Sequence, residues 1–161
     1  MDKPTVYLET TIPSYLVAEP SRDIVVAGHQ RTTHEWWQTA GERFELLISE
    51  LVYQEVSGGN PELAAKRLGV VRSFPILASN ADVDALTEIY GQQLGLAGKA
   101  RGDVPHFAIC VAYELDYLVT WNCAHLANAL VVRKLREINS RLGLWLPIIC
   151  TPEELMLAPQ E

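Results

Sequence analysis

Short apolar runs recur along the chain at residues 4–8 (PTVYL), 44–48 (FELLI), 74–77 (FPIL), 117–121 (YLVTW) and 147–150 (PIIC). Each has strand length and is bounded by polar or turn-forming residues. Between them the apolar positions fall at helical spacing. Residues 22–40 carry Ile24, Val25, Ala27, Trp36 and Trp37 among polar neighbours, and residues 80–96 carry Val83, Leu86, Ile89, Tyr90 and Leu94. Ser49 before Glu50, Asn60 before Pro61 and Thr151 before Pro152 are helix-start signatures. Residues 103–115 predict a helix apolar enough to be buried, and residues 125–142 an amphipathic one whose Arg133, Lys134 and Arg136 form a solvated basic face. The stretch 94–102 (LGLAGKARG) predicts a flexible loop. Strands alternating with helices predict an α/β fold: one domain over 1–161, with a mostly parallel sheet of about five strands and helices on both faces. Trp36 and Trp37 are expected to pack into it.

Four polar residues sit oddly in this pattern. The run Val6-Tyr7-Leu8 passes straight into Glu9, although carboxylates are depleted in strands and costly at a buried strand end unless paired. Thr10, Thr11 and Pro13 then read as a helix cap and first turn, which puts Glu9 at a strand end beside a helix start, where ligands bind in open α/β sheets. Glu55 lies between Val52 and Val56 on the helix after the second strand and is expected to face inward. Glu50, at the start of that helix, is explained by the helix dipole. Asp103 opens the buried helix, and an N-cap role alone explains it. Asn122 lies just past the strand ending Thr120-Trp121, in the same kind of place as Glu9. Four oxygen-bearing side chains from two strand ends and two helices would converge at one crevice, and clustered carboxylates repel unless a cation neutralises them. Such a hard-oxygen set favours Mg²⁺ or Mn²⁺ over zinc. His106 and His125 are expected to be structural or exposed.

Composition narrows the classes. The formal net charge is −7, so a surface-wide basic field for nucleic acid is excluded, whereas a local metal-centred site is not. No apolar stretch is long enough to span a bilayer, and no apolar region of a signal peptide follows MDKPT, so a cytoplasmic location is expected. The three cysteines, Cys110, Cys123 and Cys150, have no CxxC spacing and fit reduced thiols, not a zinc site.

The order of these motifs resembles the PIN-domain family, in particular the VapC-type toxins of bacterial toxin–antitoxin pairs. The resemblance covers nearly the whole chain and rests on VYLETTIPS, LLISELVYQEV, GDVPHFAICVAYELDYLVTWNCAHLAN and IICTPEEL. The third block is the most specific: an acidic residue opens a buried helix, and the next strand ends in a Thr/Ser-x-acidic tripeptide. Carried over by position, the family's acidic ligands fall on Glu9, Glu55, Asp103 and, with Thr120 before it, Asn122. Glu stands where Asp is usual at the first position. Asn, which supplies no charge, stands at the fourth.

The resemblance implies a PIN-like α/β/α sandwich and a metal-dependent endoribonuclease. Glu9 and Asp103 would be the main Mg²⁺ (or Mn²⁺) ligands, with Glu55 binding directly or orienting a water. Thr11 and Asn122 would hold waters or the substrate phosphate. Lys99 and Arg101 would contact the RNA backbone. A homodimer and a protein antitoxin as partner are implied too, and no membrane. The neutral Asn122 keeps open a catalytically weak domain acting as a binding or regulatory module. A small-molecule phosphohydrolase is a third possibility.

Overall fold

The computed structural model describes residues 2–157. Strands β1 (Thr5–Leu8), β2 (Glu45–Ser49), β3 (Ile76–Leu77), β4 (Tyr117–Val119) and β5 (Ile148–Cys150) form one sheet in the order β3-β2-β1-β4-β5. All four pairings are parallel, with Tyr7 beside Leu47 and Leu118, and Leu8 beside Val119. Helices cover both faces, giving the expected α/β/α sandwich. β1 is central and fully buried from Val6 to Leu8, as a strand flanked on both faces must be. Strand order runs outward from β1 to β3 on one side and from β4 to β5 on the other. The β1–β4 boundary is therefore the topological switch point, and the crevice beyond its carboxyl ends is the expected ligand position.

The helices start where their caps say. In α2 (Ile24–Arg43) the Asp23 carboxylate accepts from the backbone N–H of Val25 and Val26, and Trp36 and Ala40 bury the inner face. Ser49 caps α3 (Glu50–Val56), and Asn60 caps α4 (Pro61–Val71). Asn80 caps α5 (Ala81–Gln93). Helix α8 (Ala129–Leu142) begins after Asn128, later than the expected 125, and ends at Gly143 in the left-handed region, φ 66°, where a side chain would be strained. A closing 3-10 turn (Pro152–Leu155) carries a capping box on Thr151. Trp36 is buried, and Trp37 packs edge-on against Phe74. All three cysteines are free thiols.

Three sequence readings need correction. The 94–102 loop contains a helical turn, α6 (Lys99–Gly102), closed by backbone bonds from Arg101 to Gly98 and from Asp103 to Ala100. Asp103 follows it directly into α7 (Val104–Ala112) with helical φ −84° and ψ −15°, and its side chain makes no capping bond. The N-cap account of Asp103 therefore fails: a residue already in helical conformation cannot turn its carboxylate back onto the helix start. In α1 (Thr11–Val17) the cap position, Thr10, is likewise helical and makes no side-chain cap bond.

Candidate active site

Glu9 leaves β1 only 4% exposed. Its Oε2 accepts three hydrogen bonds: from the Thr11 backbone N–H (3.0 Å), from Thr11 Oγ1 (2.6 Å) and from Thr120 Oγ1 (2.7 Å). Three donors on one oxygen fix the carboxylate and compensate its burial. The donors come from the two neighbours the sequence pattern placed there, the start of α1 and the end of β4. Both hydroxyls are themselves positioned, because the Trp121 N–H donates to Thr11 Oγ1 (2.8 Å) and the Asn122 N–H to Thr120 Oγ1 (2.9 Å).

Glu9, Glu55 and His106 each offer a ligand atom, and these atoms lie within 4.8 Å of one another. Glu55 reaches in from α3 with its side chain still 36% exposed. His106, from α7, is fully buried. Its Nδ1 lies 2.7 Å from the Tyr7 hydroxyl, which lies 2.9 Å from Ser49 Oγ. Burial pushes the Tyr7 phenol well above its ordinary value, and Cys110, Glu9 and Glu55 nearby add to the effect, so the hydroxyl stays protonated. His106 Nε2 lies 3.0 Å from Glu55 Oε1, but the direction is wrong for a hydrogen bond and the nitrogen is left without a partner. Two carboxylates beside an orphaned imidazole nitrogen fit a divalent cation.

Asp103 falls outside that triad. Its Oδ2 accepts from Asn122 Nδ2 (3.0 Å) and lies 2.7 Å from His125 Nδ1. Asn122 Oδ1 is occupied by the His125 backbone N–H (3.0 Å), so its amide works as a brace across the turn after β4. The two halves are linked through one chain of bonds: Asp103 to the Asn122 side chain, the Asn122 N–H to Thr120, and Thr120 to Glu9. Lys99 and Arg101 are exposed, and the Arg101 guanidinium lies over Gly91 of α5, in a cleft with Asp84 and Glu88.

The structure thus brings Glu9, Thr11, Thr120 and Glu55 together and sets Asp103 and Asn122 in an adjoining cluster. The two histidines lie against these clusters, His106 buried beside Glu9 and Glu55 and His125 part-exposed beside Asp103. For His106 the sequence held one signal, a titratable residue three positions after Asp103 within a wholly apolar helix. For His125 it held the spacing of three from Asn122. A stack of Trp121 on His29, with ring centres 4.1 Å apart and planes at 11°, flanks the turn.

No protein-family model matches the chain, and no curated protein matches it either. Solved structures do match. VapBC2 from Rickettsia felis, solved bound to a DNA fragment from their promoter, aligns with TM-score 0.55 and 16% identity over 91% of this chain and 98% of that one. VapC20 of Mycobacterium tuberculosis, described as a sarcin–ricin loop cleaving toxin, aligns with TM-score 0.59 and 11% identity over 75% and 92%. At these identities the likeness is one of fold, and that fold is the PIN-like sandwich of the VapC toxins. Among the described residues, no helix is long and apolar enough to cross a membrane.

Proposed function

We propose that the chain is a divalent-metal-dependent endoribonuclease of the PIN-domain toxin type. The observation that carries this reading is Glu9, a buried carboxylate at the switch point, fixed by three donors and facing a second carboxylate and an imidazole. Glu9 and Glu55 hold the cation, Mg²⁺ or Mn²⁺, and Asp103 supports it from the adjoining cluster. The cation supplies positive charge to the phosphate oxygens and acidifies water. Thr11 and Thr120 keep Glu9 in one orientation through catalysis. Asn122 holds Asp103, and with Thr11 lines the approach of the phosphate. Lys99 meets the RNA backbone, with Arg101 as a second contact once it leaves the α5 cleft. The VapBC2 likeness supports a protein antitoxin as partner, and a homodimer and a cytoplasmic location belong to the same reading.

The test is cleavage of pooled structured RNAs, including a sarcin–ricin-type hairpin, in Mg²⁺, Mn²⁺ or EDTA. Wild type should cut only with metal, and Glu9→Gln and Asp103→Asn should not cut. Cutting in EDTA, or equal cutting by Glu9→Gln, refutes the mechanism. A second reading, a binding module, draws on the bracing of Asp103 by the uncharged Asn122. It predicts RNA or protein binding in EDTA and no cleavage in any metal.

A further inference from the structure

We infer that His106 is a metal ligand through Nε2, so that the site is a mixed nitrogen–oxygen centre selecting a transition metal such as Mn²⁺ over Mg²⁺. This rests on the metal-dependent reading above and deepens it.

His106 is fully buried, yet its Nε2 has no hydrogen-bond partner. Leaving a buried polar atom unsatisfied is costly, so a polar group in that state needs a reason. The nitrogen belongs to the triad in which Glu9 and Glu55 offer oxygen atoms within 4.8 Å of it and of each other. The far side of the ring is prepared as well. Nδ1 faces the Tyr7 hydroxyl at 2.7 Å, and Tyr7 faces Ser49 Oγ at 2.9 Å.

Two proton orders are open to this chain. In one, Tyr7 donates to Nδ1, and an Nε2–H stands 3.0 Å from Glu55 Oε1 but is misdirected for a hydrogen bond, so it is left without a partner. In the other, Nδ1–H donates to Tyr7 and Tyr7 to Ser49, which frees the Nε2 lone pair for a cation. The second order is the usual arrangement behind a metal-bound histidine, whose other ring nitrogen donates to an oriented acceptor. It is the only one of the two that gives Nε2 a partner. Tyr7 is therefore a positioning residue for His106. Imidazole suits borderline metals, whereas Mg²⁺ prefers oxygen donors, and this sets the selectivity.

The experiment loads wild type with Mn²⁺ and reads nitrogen-14 hyperfine coupling by pulsed electron paramagnetic resonance, with Mg²⁺ competition alongside. The expected result is a nitrogen coupling in wild type that disappears in His106→Gln. His106→Gln should lose about tenfold or more in Mn²⁺ affinity with little change for Mg²⁺. Tyr7→Phe, which removes the acceptor for Nδ1–H, should weaken Mn²⁺ by about 10-fold with the coupling retained. The wild-type spectrum decides the matter even if the buried variants fail to fold. Bound Mn²⁺ with no nitrogen coupling overturns the ligand assignment. The nuclease reading then survives if Glu9→Gln still abolishes metal binding and cleavage. Absence of Mn²⁺ binding overturns both.

Discussion

Glu9→Gln separates the cost of the site from its use. In metal-free protein the change removes like-charge repulsion between Glu9 and Glu55. At the 4.8 Å limit of the triad and an effective dielectric of about 20, that repulsion is about 3.5 kcal/mol. Glu55 is 36% exposed, and solvent reduces the figure to about 2 kcal/mol. Against this stands charge assistance. A glutamine oxygen still accepts from Thr11 N, Thr11 Oγ1 and Thr120 Oγ1, but each bond loses roughly half its strength, about 1 kcal/mol apiece and about 3 kcal/mol in all. The two effects nearly cancel, leaving the variant about 1 kcal/mol less stable, a fall in Tm of about 2–4 °C for a chain of this size. Metal breaks the symmetry. At a Mn²⁺ concentration of about 100 times Kd, wild type gains about 2.7 kcal/mol, or roughly 5–10 °C, and Glu9→Gln gains almost nothing. Differential scanning calorimetry in EDTA and in Mn²⁺ gives all four values. A fall above about 10 °C in EDTA would show that Glu9 is a structural keystone, and an equal Mn²⁺ shift in both proteins would remove it from the metal centre.

Three other perturbations probe the surroundings. Thr120→Val deletes a donor to Glu9 and the acceptor of the Asn122 N–H, and should cost about 2–3 kcal/mol in urea unfolding, against about 0.5 kcal/mol or less for Thr39→Val on α2. Asn122→Asp replaces the donor 3.0 Å from Asp103 Oδ2 with a second carboxylate. It should lower Tm in EDTA and make the chain more responsive to divalent cations than wild type, and an unchanged Tm in EDTA would contradict the observed contact. The Tyr90 phenol, whose hydroxyl donates to Asn139, is pushed by burial from 10.0 to about 12. The folded state thus holds that proton more tightly than the unfolded chain does. Its contribution is complete below pH 10 and is lost as pH rises toward about 12, so Tyr90→Phe should show a shallower fall in stability across that window.

Residues whose role is set by their neighbours in sequence were legible, and those employed from a distance were not. Glu9 stood out because a carboxylate closing an apolar run violates a local rule. Ser49 and Asn60 announced their helices because capping is decided within three residues. His106 looked like an ordinary core histidine because its hydrogen-bond partner, Tyr7, is 99 residues away in the chain. Asp103 was misread as a cap because the short helical turn before it, built on Lys99–Gly102, carries no periodic signal of its own. Lys99 and Arg101 are exposed on a helical turn where a flexible loop was expected. Asn122 was recognised as a strand-end oxygen, yet the same amide carries a donor, and the donor faces Asp103.

The central place of β1 has a consequence for biosynthesis. β1 pairs with β2 on one side and, on the other, with β4, which is followed by Thr120, 111 residues beyond Glu9. At about 5–20 residues per second, several seconds of translation separate the two halves of the crevice. Until β4 docks, the Glu9 carboxylate lacks one of its hydroxyl donors and the strand keeps an open edge. The crevice is thus completed late in the assembly of the sheet: a chain translated only as far as β2 already carries Glu9 and its Thr11 donors but not the Thr120 wall that closes it.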